Sequence, residues 1–343
     1  MGNRSTPPRS FNTLRHSKSK VREKRHQQGR MVLLSICAVA VLILICALVF
    51  LICTIVNTVG GETETRPESP SGNDPGKAQA IVYQTVSKSS EDLHSGTLIL
   101  VSELRDAVYT YPRITLTSRI RTSKINGINP YQISTSLGEE KLEAGTAEAL
   151  NAMLTDFYKK FNDNSMILID AYRDKERQGN FVTPVGYSEH ETGYVFTLRT
   201  YNTENKEVNL TENDNYMWIL DHADEYGIIL RYPTEKKSVT GIDEKNLVQT
   251  TFRYVGVPHA SYMYDNNLCL EEYLDLLKSD YSSEKHLQIK AADGKNYEIY
   301  YVSASAANGS IQVPSNYEYT VSGDNMEGFI VTVHLDSPIA PAA

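Results

Sequence analysis

Gly186-Tyr187-Ser188-Glu189-His190-Glu191-Thr192-Gly193-Tyr194-Val195-Phe196-Thr197-Leu198 sets a hydroxyl, a carboxylate and an imidazole side by side at Ser188, Glu189 and His190. Working outward, Ala171-Tyr172-Arg173-Asp174-Lys175-Glu176-Arg177-Gln178 lies upstream, and Trp218 to Pro233 and Phe252-Arg253-Tyr254-Val255-Gly256 lie downstream. Leu150, Met153, Leu154, Phe157, Tyr158 and Phe161 recur at three- and four-residue spacing, which predicts a helix over Glu143 to Phe161 with one apolar face. Met166-Ile167-Leu168-Ile169 reads as a buried strand. Glu212 to Tyr226 reads as a second helix stopped by Gly227, followed by a strand over Ile228 to Tyr232.

Gly96 to Val101 and the alternating Tyr109 to Thr117 predict strands at the start of the domain. Pro258 to Lys278 fits a helical pair with Leu270, Tyr273, Leu274 and Leu277 as its stripe. Beyond it the period changes to two. Asp293-Gly294 is a tight-turn signal between β-prone runs, and Tyr297 to Val302 and Phe329 to Val333 are strand-like. The run from Ser282 onward therefore reads as a β appendage to the main domain.

The quoted stretch resembles the motif Ser-x-His-x-x-Gly-x-Ala-x-Asp of the VanY-type D-alanyl-D-alanine carboxypeptidases. It agrees at Ser188, Glu189, His190, Thr192 and Gly193 and departs at Thr197, where the family has Asp. Ala171 to Gln178 is similar to the family's Ser-Gly-Tyr-Arg-Ser-x-x-x-Gln, and Phe252 to Gly256 to the end of Glu-Pro-Trp-His-Phe-Arg-Tyr-Val-Gly. The resemblance covers about Gly96 to Leu277. It implies an α+β, hedgehog/D,D-peptidase-like fold, with helices packed on a small antiparallel sheet. It also implies substrate-binding roles for Arg173, Gln178 and Ser188.

In the family a catalytic zinc is held by His, Asp and His, with a Glu as general base. Here only His190 remains of the metal ligands, because Thr197 and Thr251 occupy the other two positions and Val248 stands at the Glu position. The expectation is that no zinc cofactor is held and that no residue fills the catalytic role. Asp243 and Glu244, in a lengthened loop, are the candidates for a substitute ligand or base. His222 and His259 have no ligand spacing to His190 and read as structural or surface histidines.

Bulk features place the domain. The hydrophobic fraction of 41% excludes disorder throughout. Nine Lys or Arg between Arg4 and Arg30 against Glu23 give the head +8, which leaves −16 for the rest of a chain of net charge −8. Met31 to Val56 carries no charge and would rise about 39 Å as a helix, enough to span a bilayer. The basic flank then fixes the N-terminus in the cytoplasm and the following domain outside, as a single-pass signal-anchor at the cell membrane. Cys37, Cys46 and Cys53 fall in that span, so Cys269 has no partner for an internal disulfide.

The organisation expected is a basic cytoplasmic tail over 1–30, a transmembrane helix over 31–57, a flexible linker over 58–80, a carboxypeptidase-like domain over 81–281 and the β appendage over 282–337. The leading functional expectation is a carboxypeptidase-like protein that binds a peptidoglycan stem peptide or an envelope partner without hydrolysis. An active zinc D,D-carboxypeptidase with displaced ligands, and a structural envelope assembly module, are the alternatives. No nucleic-acid partner is expected.

Overall fold

The computed structural model describes residues 80–111, 115–116, 120, 122–134, 141–201, 206–242 and 249–339. The expected cytoplasmic tail, the span over 31–57 and nearly all of the linker lie outside the described residues, as do Asp243, Glu244 and Val248. Among the described residues no helix is long and apolar enough to cross a membrane. The described residues from Ala80 onward belong to one compact unit.

The strands in chain order are β1 (Tyr83–Ser87), β2 (Gln132–Ile133), β3 (Ile167–Asp170), β4 (Val195–Tyr201), β5 (Glu207–Val208), β6 (Ile228–Leu230), β7 (Gln249–Tyr254), β8 (Leu287–Lys290), β9 (Asn296–Ser303), β10 (Ser310–Pro314), β11 (Tyr317–Gly323) and β12 (Gly328–Pro338). The main sheet runs β2-β3-β4-β7-β6, with β5 on the free end of β4. It is antiparallel except for the β2–β3 pair. The fold is thus mixed α/β, and its sheet is not purely antiparallel as the resemblance implies.

Helix α1 (Ala144–Phe161) buries the predicted face, with Leu150, Met153, Leu154 and Phe157 at 0% exposure. Each such side chain contributes about 1.5–3 kcal/mol of burial free energy. The Glu143 side chain accepts from the Thr146 amide at one end, and Asn162 closes the other in the left-handed conformation. The second predicted helix begins at Asp214 and tightens into a 3-10 turn over Ala223–Tyr226. Gly227 ends it at φ 75°, where a Cβ would lie 2.8 Å from the backbone of Gly256 and Val257. The helical pair is Val257–Asn266 and Leu270–Asp280.

Two strand expectations fail. Within Gly96 to Val101 the residues Leu98 to Val101 are buried, but the segment joins no ladder, because side chains and loops satisfy its backbone. Leu98 N donates to Ser322 Oγ (2.9 Å), Leu100 N to Asp324 O (3.0 Å), and Arg253 Nη2 to Thr97 O and Ile99 O (3.0 and 2.7 Å). Its alternation instead sends Leu98 and Leu100 into one core and Ile99 and Val101 into another. In Tyr109 to Thr117 the described residues form no strand beyond an isolated Leu116–Glu143 bridge, and Tyr111 at φ 55° breaks an extended run.

The appendage exists as a four-stranded antiparallel sheet in the order β11-β12-β9-β8. A separate two-stranded sheet joins β1 to β10, from Tyr83↔Pro314 to Ser87↔Ser310. The inner face of the four-stranded sheet shares a core with the helix Leu270–Asp280, where Tyr273 and Leu277 meet Leu287, Ile299 and Ile330.

Candidate functional site

Ser188 caps a short 3-10 turn, Glu189–Thr192, reciprocally with Glu191. The Glu191 carboxylate also accepts from Gly186 N at 2.8 Å and from the Tyr111 hydroxyl. Gly193 leaves the turn at φ 79°, where a Cβ would meet Leu116 at 2.8 Å. Glu189 and His190, adjacent in sequence, face different surroundings as a result.

Glu189 is 2% exposed. It accepts from Arg231 Nε (2.6 Å) and Nη2 (3.1 Å), and Arg253 Nη1 lies 2.6 Å away as a close ion pair without hydrogen-bond alignment. Arg231 also donates to Glu271 at 2.7 and 3.1 Å. Burial alone would push the Glu189 carboxyl up, but the charges of Arg231 and Arg253 outweigh it and hold it below the usual range. This network ties the turn to the end of β6, to β7 and to the helix Leu270–Asp280.

His190 Nδ1 lies 2.8 Å from Ala171 O, and since a carbonyl only accepts, Nδ1 carries the proton and Nε2 is the bare nitrogen. Burial, followed by the charge of Arg173, pushes the imidazole down to about 4, so it is neutral near pH 7. Nε2 is 3.4 Å from Thr197 Oγ1, which is 3.3 Å from Thr251 Oγ1. The last contact follows from register, because Thr197 and Thr251 are directly paired on β4 and β7. The three positions that the resemblance assigns to metal ligands therefore converge.

The His190–Thr197 and Thr197–Thr251 spacings suit a metal, and the chemistry of the three side chains does not. Two ligands about 2.1 Å from a tetrahedral zinc stand about 3.4 Å apart, close to the spacings found here. The donors, however, are one imidazole and two hydroxyls that stay protonated near neutral pH. Among the described residues no group of three His, Cys, Asp or Glu is placed to hold a metal ion. Among the described residues, the donors gathered here do not fit a resident catalytic zinc.

Beside His190 lies a polar cluster centred on Asp170, the last residue of β3. Asp170 Oδ2 accepts from Arg173 Nε at 2.9 Å and from Arg173 Nη2, and Oδ1 accepts from Arg177 Nη2 and Ala171 N at 2.8 and 2.9 Å. Arg173 Nη1 donates to Gln178 Oε1 at 3.0 Å, and Gln178 Nε2 to Thr183 O at 2.7 Å. The Phe181 ring covers the Arg173 guanidinium at 3.6 Å. Arg173 and Gln178 are thus brought together, and Arg173 N also donates to His190 O (2.9 Å). The Ser188 side chain serves as the turn cap.

His222 stacks on Trp218 at 4.6 Å, and His259 is buried between Tyr273 Oη (2.8 Å) and Thr332 Oγ1 (3.0 Å), both in structural roles. Sequence reasoning missed Asp170 and Arg177. The only signal for them is spacing, a carboxylate followed by arginines three and seven residues later.

The site is thus a histidine-bearing turn set against paired strands of a mixed α/β domain, with an arginine cluster alongside. Residues 139–257 match the family model VanY, D-alanyl-D-alanine carboxypeptidase. It is 35% identical over 176 residues to a D-alanyl-D-alanine carboxypeptidase of Enterococcus faecium, covering 51% of this chain and 52% of the relative. A second D-alanyl-D-alanine carboxypeptidase, from Enterococcus faecalis, is 24% identical over 226 residues, covering 62% of this chain and 79% of the relative. The matched part thus spans about half the length of the Enterococcus faecium relative. In fold it is similar to the vancomycin resistance D,D-dipeptidase VanXYg, solved in complex with a D-Ala-D-Ala phosphinate analogue. That likeness has a TM-score of 0.58 at 23% identity and covers 74% of this chain and 99% of the other.

Proposed function

We propose that this chain is a D-alanyl-D-alanine carboxypeptidase-like protein that binds a peptidoglycan stem peptide, or an envelope partner presenting similar chemistry, without zinc-dependent hydrolysis. Residues 31–57 would hold it at the cell membrane with its folded part outside. The observation that carries this reading is the convergence of His190, Thr197 and Thr251 with one nitrogen and two hydroxyls as donors. A catalytic zinc needs three protein ligands to bring a bound water to a pKa of about 7. A missing general base alone costs about 10²–10⁴ in rate. Arg173, Gln178 and Ser188 are the residues that this reading assigns to the peptide.

The test is release of D-alanine from a stem pentapeptide ending in D-Ala-D-Ala, incubated with the full chain and zinc, with and without a chelator. The expected result is no release above the enzyme-free control. Release that a chelator abolishes would establish an active peptidase, with ligands supplied from the segment of Asp243 and Glu244.

A further inference from the structure

We propose that Asn325, in the turn between β11 and β12, positions the histidine-bearing turn Glu189–Thr192 through the Val108–Tyr109 peptide, so that the β appendage is a working part of the site. The inference goes beyond the binding reading, because it names a positioning residue that lies outside every stretch quoted for the resemblance.

Asn325 is 5% exposed, and both ends of its amide are engaged. Nδ2 donates to Leu100 O at 2.7 Å and to Val108 O at 3.0 Å, and Oδ1 lies 2.8 Å from His94 Nδ1. Chemistry fixes this orientation, because reversing the amide would set an oxygen against two carbonyls that only accept. The turn is fixed as well. Asp324 Oδ1 accepts from the amides of Met326, Glu327 and Gly328 at 2.7, 2.8 and 3.0 Å, and Asn325 holds φ 67°, a left-handed conformation that Asn adopts more readily than most residues.

Leu100 and Val108 flank the Ser102–Ala107 bridge, so one side chain ties both legs of this loop at its base. Val108 and Tyr109 share a peptide unit whose carbonyl accepts from Asn325 and whose N–H donates to Gly186 O at 2.7 Å. Gly186 begins the stretch that carries the site. A Cβ there would meet Val108 Cγ1 at 3.2 Å, and the Gly186 N–H donates to Glu191 at 2.8 Å. Two more contacts join the same segments, from Tyr111 Oη to Glu191 and from Tyr187 Oη to Asp106 Oδ1 at 3.0 Å. Glu191 also accepts from Ser188 N at 3.3 Å, inside the capped turn that holds His190. Without Asn325 the carbonyls of Leu100 and Val108 lose these donors, and the loop no longer holds Gly186 in place.

The experiment is hydrogen–deuterium exchange of the full chain, read by mass spectrometry, for wild type, N325G and N325D, each checked for folding by circular dichroism. N325G keeps the left-handed backbone, and N325D keeps the side chain's shape without its N–H donors. T332V, which removes a buried contact between β12 and His259 without touching the loop, reports loss of stability alone. Exchange over 108–111 and 184–192 is expected to quicken about tenfold or more in N325G and N325D, and to stay within about twofold of wild type in T332V. Unchanged exchange over 184–192 in a folded Asn325 variant overturns the proposal, as does equal quickening in T332V. Calorimetric titration with an acetylated Lys-D-Ala-D-Ala peptide adds the binding readout, which rests on the stem-peptide reading. Affinity should fall about fivefold or more in both Asn325 variants and hold within about twofold in T332V. Unchanged affinity in both Asn325 variants overturns the proposal. A wild type that binds no peptide sinks the stem-peptide reading instead, and the exchange pattern then decides the role of Asn325.

Discussion

Replacing Glu189 by Gln keeps the side chain's shape and removes one of four mutually neutralising charges. Glu189 and Glu271 balance Arg231 and Arg253, and none of the four side chains is more than 1% exposed. The variant leaves one uncompensated positive charge in that interior. Breaking a buried pair in this way costs about 3–5 kcal/mol, set against a typical total stability of about 5–15 kcal/mol. At roughly 2–4 °C per kcal/mol for chains of this order of size, the melting temperature should fall by about 6–20 °C at pH 7. Thermal and urea unfolding followed by circular dichroism measure this directly. The pH dependence has a definite sign. The folded Glu189 carboxyl lies below its ordinary value of 4.5, so its contribution is present above that value and is lost as the pH falls through the lower folded one. The gap between wild type and E189Q should therefore close in acid. A loss under about 2 °C at neutral pH, or a gap that does not narrow in acid, would refute the view that this network fixes the turn.

Burial pushes His259 down to about 3, with His334 adding to the effect. The unfolded chain therefore takes up a proton below about pH 6.5 that the folded chain refuses until about pH 3. Between those values stability falls by up to about 1.4 kcal/mol per pH unit. Unfolding free energies from urea titrations at pH 7 and 5 should differ by up to about 2 kcal/mol more in wild type than in H259Q, and equal differences would contradict the assignment. The double variant T197D/T251H should hold about one chelator-removable zinc per chain, because those positions stand together beside His190. A folded double variant that takes no metal would mean that β4 and β7 do not present the pair as the 3.3 Å Thr197–Thr251 contact implies.

The apolar stripe of α1 and the helical pair were legible because periodic burial on one face is written directly into residue spacing. Gly96 to Val101 misled for a related reason. Alternation records burial on two sides, and in this segment two cores provide it without any neighbouring strand. β1 left little trace because it is largely exposed, and only its pairing with β10 holds it extended. Within the candidate site, His190, Thr197 and Thr251 were found through family resemblance. Nothing in their local sequence announces that residues so far apart meet, since that depends on the register of β4 against β7. Arg231 and Arg253 lie in stretches quoted for the resemblance, but their pairing with Glu189 was not legible there, because burial with a specific partner is a property of the fold. Asp170 escaped for the same reason.

The central claim is that the place where the family holds its metal has kept its geometry and lost its donors. Zinc bound per chain tests this most directly, by elemental analysis of the full chain after exposure to a modest zinc excess and desalting. With one imidazole and two hydroxyls converging there, the expected value is below about 0.1 zinc per chain. A value near one, abolished by His190→Ala, would contradict the account and show that the chain completes the site with donors of its own.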